Sequence, residues 1–353
     1  MIPSRVLIIS PNWIGDAIMA QPLLQLLRQR YPEVVIDVLA PAWVAPVWQA
    51  MEEVNHVHES TFRHGKLQLK ERWKMAHFLK ALKYDQAYVL PNTLKFALIP
   101  WLAAVPLRIG YLGESRYGLL NVIHHDDRNH PRPMMAFYAA LADKPVSDII
   151  GRFESLHPRL YVDSETVRAV KNKFNLEQAQ PLIAFAPGAE FGSAKRWPQS
   201  HFSALAEMIG QQYPDTQIIL LGSPKDSEIC ETIHSNVHNT VNLAGKTSLK
   251  EAIALIAGIT LLVTNDSGLM HVASAFDIPV IALYGSTDYR HTPPFSSQSH
   301  IISLNLECAP CQKRECPLGH HDCMNRLMPA LVFKEIMDIM ENIKMASPEK
   351  YPK

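Results

Sequence analysis

Short runs of consecutive apolar residues recur along the chain, each followed by a longer stretch whose apolar positions fall three and four apart. A run apolar on both faces predicts a strand covered on both sides, and the 3.6-residue period predicts the covering helix. In the first half this pattern predicts strands at 6–10, 34–39, 54–57, 85–90 and 108–111. Helices are expected at 17–30, 43–51, 66–83 and 95–104. Loops rich in Gly, Arg and His fill 113–133, before a helix at 134–142, a short strand at 159–162 and a helix at 165–174. The alternation then restarts with strands at 182–186, 217–221, 240–243, 259–263 and 280–285. Helices are expected at 201–213, 225–234 and 248–257, another after Gly268, and a final amphipathic one at 330–345.

Repeated strand–helix units of this length predict parallel sheets with helices on both faces. Two such α/β units are expected, at 1–160 and 181–328, joined by a linker at 161–180 and followed by a C-terminal helix and tail at 329–353. Two tandem units predict a cleft, and ligands in such sheets bind outside the carboxyl ends of the strands. The loops after each apolar run therefore carry the candidate chemistry.

A length of 353 residues agrees with two domains, and 47% apolar with 19% charged residues describes a soluble globular chain. Lys plus Arg equals Asp plus Glu at 34 each, so nothing in the global charge argues for a nucleic-acid partner. No apolar run is long enough for a membrane span, the N-terminus reads as a first strand rather than a signal peptide, and five cysteines fit no secreted disulfide framework. A cytoplasmic protein is expected.

One stretch organises the rest: Thr264, Asn265, Asp266, Ser267, Gly268, Leu269, Met270 and His271. A strand ending in Asn-Asp-Ser-Gly before a helix exposes backbone N–H groups that suit a phosphate, and the same residue types serve as ordinary helix caps. His271, one turn into that helix, either faces the same anion site or packs as a core histidine. Lys195 follows Gly188, Ser193 and Ala194 in a loop after a strand, as a point charge for a phosphate or a solvated lysine. Neither a P-loop nor a Gly-x-Gly-x-x-Gly fingerprint is present.

Asp16 is placed either as a general base or as the cap of the helix expected from Ala17. Lys95, Arg108, Arg116, Arg128 and Arg132 gather in the first half as candidates for an acidic or phosphorylated acceptor, or as solvated surface. Cys308, Cys311, Cys316 and Cys323, with His320 and His321 between them, read either as a structural zinc site or as reduced thiols.

Several stretches in order resemble one family. They are Pro11 to Asp16; Tyr88 to Lys95; Arg108 to Tyr111 with Arg116 to Asn121; Pro187 to Gly192 with Lys195 to Pro198; Asn242 to Gly245; and 264–273. Together they resemble the ADP-heptose:lipopolysaccharide heptosyltransferases, and within that family the type II enzymes, from about residue 5 to 345. The resemblance implies a GT-B fold, two Rossmann-like doubly wound domains facing a central cleft. It implies inverting transfer of L-glycero-D-manno-heptose from ADP-heptose to the first inner-core heptose of heptosyl-Kdo2-lipid A.

By the same resemblance Asp16 matches the general base and Lys195 the lysine on the donor phosphates. Gly188, Ser193, Asp226, Asp266, Ser267, Gly268 and His271 fall to the donor, with Asp226 or Glu228 as candidates for its ribose. Asn12, Lys95, Arg108 and Arg116 fall to the acceptor. No catalytic metal or cofactor is implied, and a lipid-linked acceptor implies peripheral contact with the inner face of the cytoplasmic membrane. The alternatives are transfer at another core position, another nucleotide sugar, or a non-catalytic nucleotide-binding module.

Overall fold

The computed structural model describes residues 2–62, 65–126, 133–145, 156–176 and 181–346. They form two compact units, one of Met1–Tyr161 with Arg290–Thr292 and one of Val162–Tyr289 with Pro293–Lys353.

The first unit starts with β1 (Arg5–Ile9), α1 (Ile14–Met19), α2 (Gln21–Arg30), β2 (Val35–Pro41), α3 (Ala45–Gln49) and β3 (His56–Ser60). It continues with α4 (Leu69–Ala81), β4 (Gln86–Val89), α5 (Leu94–Leu102), β5 (Leu107–Tyr111), β6 (Val122–His124) and α6 (Met134–Ala139). Its six strands are all parallel, in the order β3-β2-β1-β4-β5-β6. Val6, Leu7, Ile8 and Ile9 of the central strand are fully buried, the burial on both faces that a helix-covered parallel sheet imposes.

The second unit runs through α7 (Ser164–Lys173), β7 (Leu182–Ala186), α8 (Gln199–Gln212), β8 (Gln217–Leu220), α9 (Ser227–Asn236), β9 (Thr240–Asn242) and α10 (Leu249–Ala257). After these come β10 (Leu261–Asn265), α11 (Gly268–Ala275), β11 (Val280–Tyr284), β12 (Ser299–Ser303), α12 (Asp322–Asn325) and α13 (Pro329–Ala346). Its parallel sheet has the order β12-β11-β10-β7-β8-β9. Renumbered within each unit, both sheets follow the doubly wound order 3-2-1-4-5-6. The chain reverses direction between β1 and β4 in one unit and between β7 and β10 in the other. These are the places where a doubly wound sheet opens a crevice for a ligand.

Several expectations change. The helix expected over 17–30 is two, α1 and α2, joined at Ala20 with Pro22 opening the second. Pro lacks the N–H for an unbroken ladder, so it suits a first turn. Residues 159–162 form no strand; Tyr161 N–H reaches Ala50 O at 2.8 Å without a ladder around it. Edge strands β6 and β12 were not expected, since both are short and carry polar residues. Helix α7 is the helix expected at 165–174, inside the span read as a linker. Asp163 caps it through Thr166 N–H at 2.7 Å, and it packs on α10. The terminal α13 packs on α8, placing Val332, Ile336, Ile339 and Met340 in the core of the second unit.

Candidate functional site

In the second unit the site is built on the two strands flanking the reversal, β7 and β10. Asn265 ends β10, fully buried, and its side chain ties both ends of the loop after β7. Its Nδ2 donates to Pro187 O at 2.7 Å, and its Oδ1 accepts from Trp197 N–H at 3.1 Å. Trp197 is buried and donates from Nε1 to Leu327 O at 2.7 Å. With both ends fixed, Gly188 to Lys195 is held as a defined turn rather than a free surface loop.

Within that turn Lys195 Nζ stands 2.5 Å from Asp266 Oδ2, and Thr287 Oγ1 donates to the same oxygen at 2.7 Å. Both charged side chains are largely covered, 13% and 7% exposed, so the pair is weakly screened. An ammonium has three donors and Asp266 occupies one, which leaves Lys195 capacity for an anionic ligand. The Phe191 ring lies 4.8 Å from Lys195 Nζ.

Asp266 does not cap α11. The capping position belongs to Ser267, whose side chain makes no cap hydrogen bond and instead meets Thr264 Oγ1 at 3.0 Å. The first-turn N–H groups from Gly268 onward therefore have no side-chain cap, the arrangement that suits a phosphate. His271, in the same turn, is 4% exposed, and its Nδ1 has no hydrogen-bond partner. Burial lowers its pKa to about 4, with Asp266 acting in the opposite direction and Lys195 adding to the drop. A buried polar atom without a partner is costly, and a bound ligand can relieve that cost.

This burial has a stability consequence. The unfolded histidine takes a proton near its ordinary 6.5, before the folded one does near 4, so the neutral ring favours the fold above that window. Up to about 3 kcal/mol is expected to be lost as pH falls from about 6.5 to about 4. His271→Gln should flatten that slope. Thermal unfolding of both proteins between neutral and acidic pH checks it, and equal slopes would remove His271 as the cause.

Asp226 is spent on local structure. Its Oδ2 accepts from Ser223 N–H at 2.9 Å and Ser223 Oγ at 2.7 Å, forming a capping box. Its carboxyl group also fills the space beside Gly188, where a Cβ would come within 2.4 Å. Glu228 is exposed in the first turn of α9. Ser193 is exposed on the short 3-10 turn that carries Lys195.

In the first unit the loop after β1 carries Asn12 and Trp13, and Asp16 lies in the first turn of α1. Trp13 holds the capping position there, so Asp16 is neither a loop residue nor the cap. Tyr138, contributed by α6, donates its hydroxyl to Asp16 Oδ1 at 2.9 Å. Burial first, and then Asp16, raise the Tyr138 pKa well above its ordinary value, so it remains a donor. Trp48 Nε1 donates to Ser10 Oγ at 2.7 Å and Trp43 Nε1 to Asn12 O at 3.1 Å, fixing this loop from the β2 side. Trp13 and Trp43 are themselves 45% and 47% exposed.

The basic candidates separate. Arg116 is fully buried; its guanidinium donates to Pro91 O at 2.6 Å and to Tyr111 O, and burial lowers its pKa to about 10. Arg108 donates to Leu119 O at 2.6 Å and Val105 O at 2.7 Å. Both guanidiniums hold main-chain carbonyls, a use of arginine that the count of charges along the chain does not reveal. Lys95 is half-buried at the start of α5, with Nζ 5.9 Å from the Phe96 ring. Arg128 and Arg132 lie outside the described residues. Sequence reasoning missed Asn265 as the loop clamp, and Tyr138 and Thr287 altogether. Only Thr287 left a signal, a Gly-Ser-Thr turn directly after an apolar run.

Two doubly wound units, each with its sheet in the order 3-2-1-4-5-6, match the GT-B fold of the glycosyltransferases. The chain belongs to glycosyltransferase family 9, the heptosyltransferases, whose family model matches residues 72–321. It is 40% identical to the lipopolysaccharide heptosyltransferase 2 of Escherichia coli, over 94% of this chain and 97% of that one. It is 39% identical to the lipooligosaccharide heptosyltransferase 2 of Haemophilus influenzae, over 95% and 99%. The solved structure of E. coli ADP-heptose lps heptosyltransferase II superimposes with a TM-score of 0.85 at 37% identity, covering 96% of this chain and 99% of that one.

Proposed function

We propose that the chain is an inverting transferase that moves L-glycero-D-manno-heptose from ADP-heptose to the first heptose of heptosyl-Kdo2-lipid A. The nearly full-length likeness to two type 2 heptosyltransferases carries this reading. In it the second unit takes the donor: the diphosphate lies at the N-terminus of α11 and against Lys195. As the bond from the anomeric carbon to the diphosphate oxygen breaks, the Lys195 ammonium and the α11 N–H groups meet the growing negative charge. Asp266 keeps Lys195 in place, and its own charge is offset by Lys195 and the Thr287 hydroxyl. No metal ion is required at this step.

The first unit takes the acceptor. Asp16 removes the proton from the attacking hydroxyl as the new bond forms on the face opposite the departing ADP, which inverts the anomeric centre. Tyr138 fixes the carboxylate through Oδ1. Asn12 and Lys95 offer polar contacts at the ends of β1 and β4, with Arg108 and Arg116 supporting the neighbouring backbone.

The test is product analysis with ADP-heptose and mono-heptosylated inner core, which is expected to yield the diheptosylated product. Turnover of UDP-sugars with none of ADP-heptose would reject the donor assignment. A lipid-linked acceptor also calls for peripheral contact with the inner face of the cytoplasmic membrane. Among the described residues no helix is long and apolar enough to span one. Helix α4 exposes Leu69, Trp73 and Phe78 beside Lys70, Lys74 and Lys80, a composition suited to an anionic lipid surface. Co-sedimentation of the purified chain with anionic but not neutral vesicles is expected, and equal recovery with both would count against it.

A further inference from the structure

The transfer reaction leaves one cluster unused, the segment 304–321 between β12 and α12 with the cysteines in and just beyond it. None of its residues is fully buried, most are exposed, and it has no helix or strand. An irregular stretch of this length with little apolar surface to bury needs another source of order. Four of the chain's five cysteines, all free, stand at 308, 311, 316 and 323. They line one small cavity together with His320 and His321.

The backbone is shaped around these sulfurs. Gln312, next after the Cys308-x-x-Cys311 pair, has φ +56°, and Gly319 after Cys316 has φ +74°. Each left-handed residue turns the chain back on itself. In the second turn Gly319 N–H donates to Cys316 O at 3.2 Å, closing the chain just after that cysteine. Among the described residues no three His, Cys, Asp or Glu side chains are grouped so as to hold a metal ion, so a metal here requires the four thiols to draw together as it binds.

The segment also grips the donor cluster on both sides. Arg314 O accepts from Ala194 N–H at 3.0 Å, next to Lys195, and the Arg314 guanidinium lies 5.2 Å from the Phe191 ring. Contact there is so close that a Cβ on Gly192 would come within 2.2 Å of Arg314 O. On the other side Gln312 N–H donates to Ser286 O at 2.7 Å, beside Thr287.

We propose that Cys308, Cys311, Cys316 and Cys323 bind one zinc ion, which fixes this segment as a brace for Lys195 and Thr287. Four thiolates make a soft donor set for tetrahedral, redox-inert zinc. Four thiols release four protons as the four sulfur–zinc bonds form, leaving a complex of net charge minus two. Lys313 and Arg314 outweigh Glu315 between the second and third cysteines, leaving one net positive charge there. The bracing role rests on the donor-site reading, whereas the metal site does not.

The test uses the full-length chain, reduced and stripped of metal, with zinc alone as the probe. One zinc per chain is expected by elemental analysis. The Cys308→Ser/Cys311→Ser double variant should take up none, while Cys230→Ala, altered in the buried face of α9, should keep it. Cobalt added to the stripped wild-type chain should give thiolate-to-metal charge-transfer absorption, a readout that survives if the double variant fails to fold. Removing zinc from the wild-type chain is expected to raise the donor KM about tenfold, the scale seen when support around a site is lost, with kcat changing less. Absence of stoichiometric zinc, or equal uptake by the double variant, would overturn the site. Zinc uptake with an unchanged donor KM would overturn the brace. Zinc uptake in a chain that transfers no heptose would leave the metal site standing and reject the transferase reading instead.

Discussion

Asp16→Asn is expected to lower turnover by about 10²- to 10⁴-fold, the range a positioned general base contributes, while ADP binds as before. The substitution is nearly isosteric, and the amide oxygen can still accept the Tyr138 hydroxyl that now reaches Oδ1 at 2.9 Å. What disappears is the capacity to take a proton. The loss should therefore fall on kcat, with donor KM and thermal stability close to wild type. Steady-state kinetics beside calorimetric ADP titration make the comparison. Near wild-type turnover would remove Asp16 from the chemistry. The same experiment separates an enzyme from a nucleotide-binding module, because a module would keep its whole function in this variant.

Lys195→Ala should have the second large effect, about a 10²- to 10³-fold fall in kcat/KM, comparable to losing one preorganised donor to a developing anion. The defect has two parts. One is loss of the cation that faces the diphosphate. The other is that Asp266, 7% exposed, loses its ammonium partner, keeps the Thr287 hydroxyl, and stands as an uncompensated charge at an anion site. Adding Asp266→Asn to Lys195→Ala should therefore recover part of the activity rather than lower it further. Such non-additivity is what a double-mutant cycle measures between groups in contact. Independent, additive losses would show that the pair does not act as a unit.

Much of this site was legible along the chain because its parts sit directly after apolar runs. Asp16, Lys95, Lys195 and Asp266 each follow one of the four strands flanking the two reversals, where doubly wound sheets place their ligands. Their partners were not legible. Tyr138 lies 122 positions from Asp16, and Lys195 lies 71 from Asp266. Nothing local marks such pairs. The basic residues show the converse: Arg108 and Arg116 read as acceptor candidates because they are charged, and the fold engages both guanidiniums with main-chain carbonyls, Arg116 fully buried and Arg108 partly so.

By itself the sequence determined the two α/β units, since continuous apolar runs can be buried only in sheets covered on both faces. It also marked the 264–271 stretch as a strand-to-helix turn, because Asn, Asp, Ser and Gly there are local backbone signals. Tertiary structure alone decided what that stretch does. It set Asp266 against Lys195 and Thr287 instead of at the start of α11, leaving the helix N-terminus uncapped by side chains and His271 buried and neutral beside it. The reason is that a charge so deeply covered has to be paired, and its partner comes from another strand's loop.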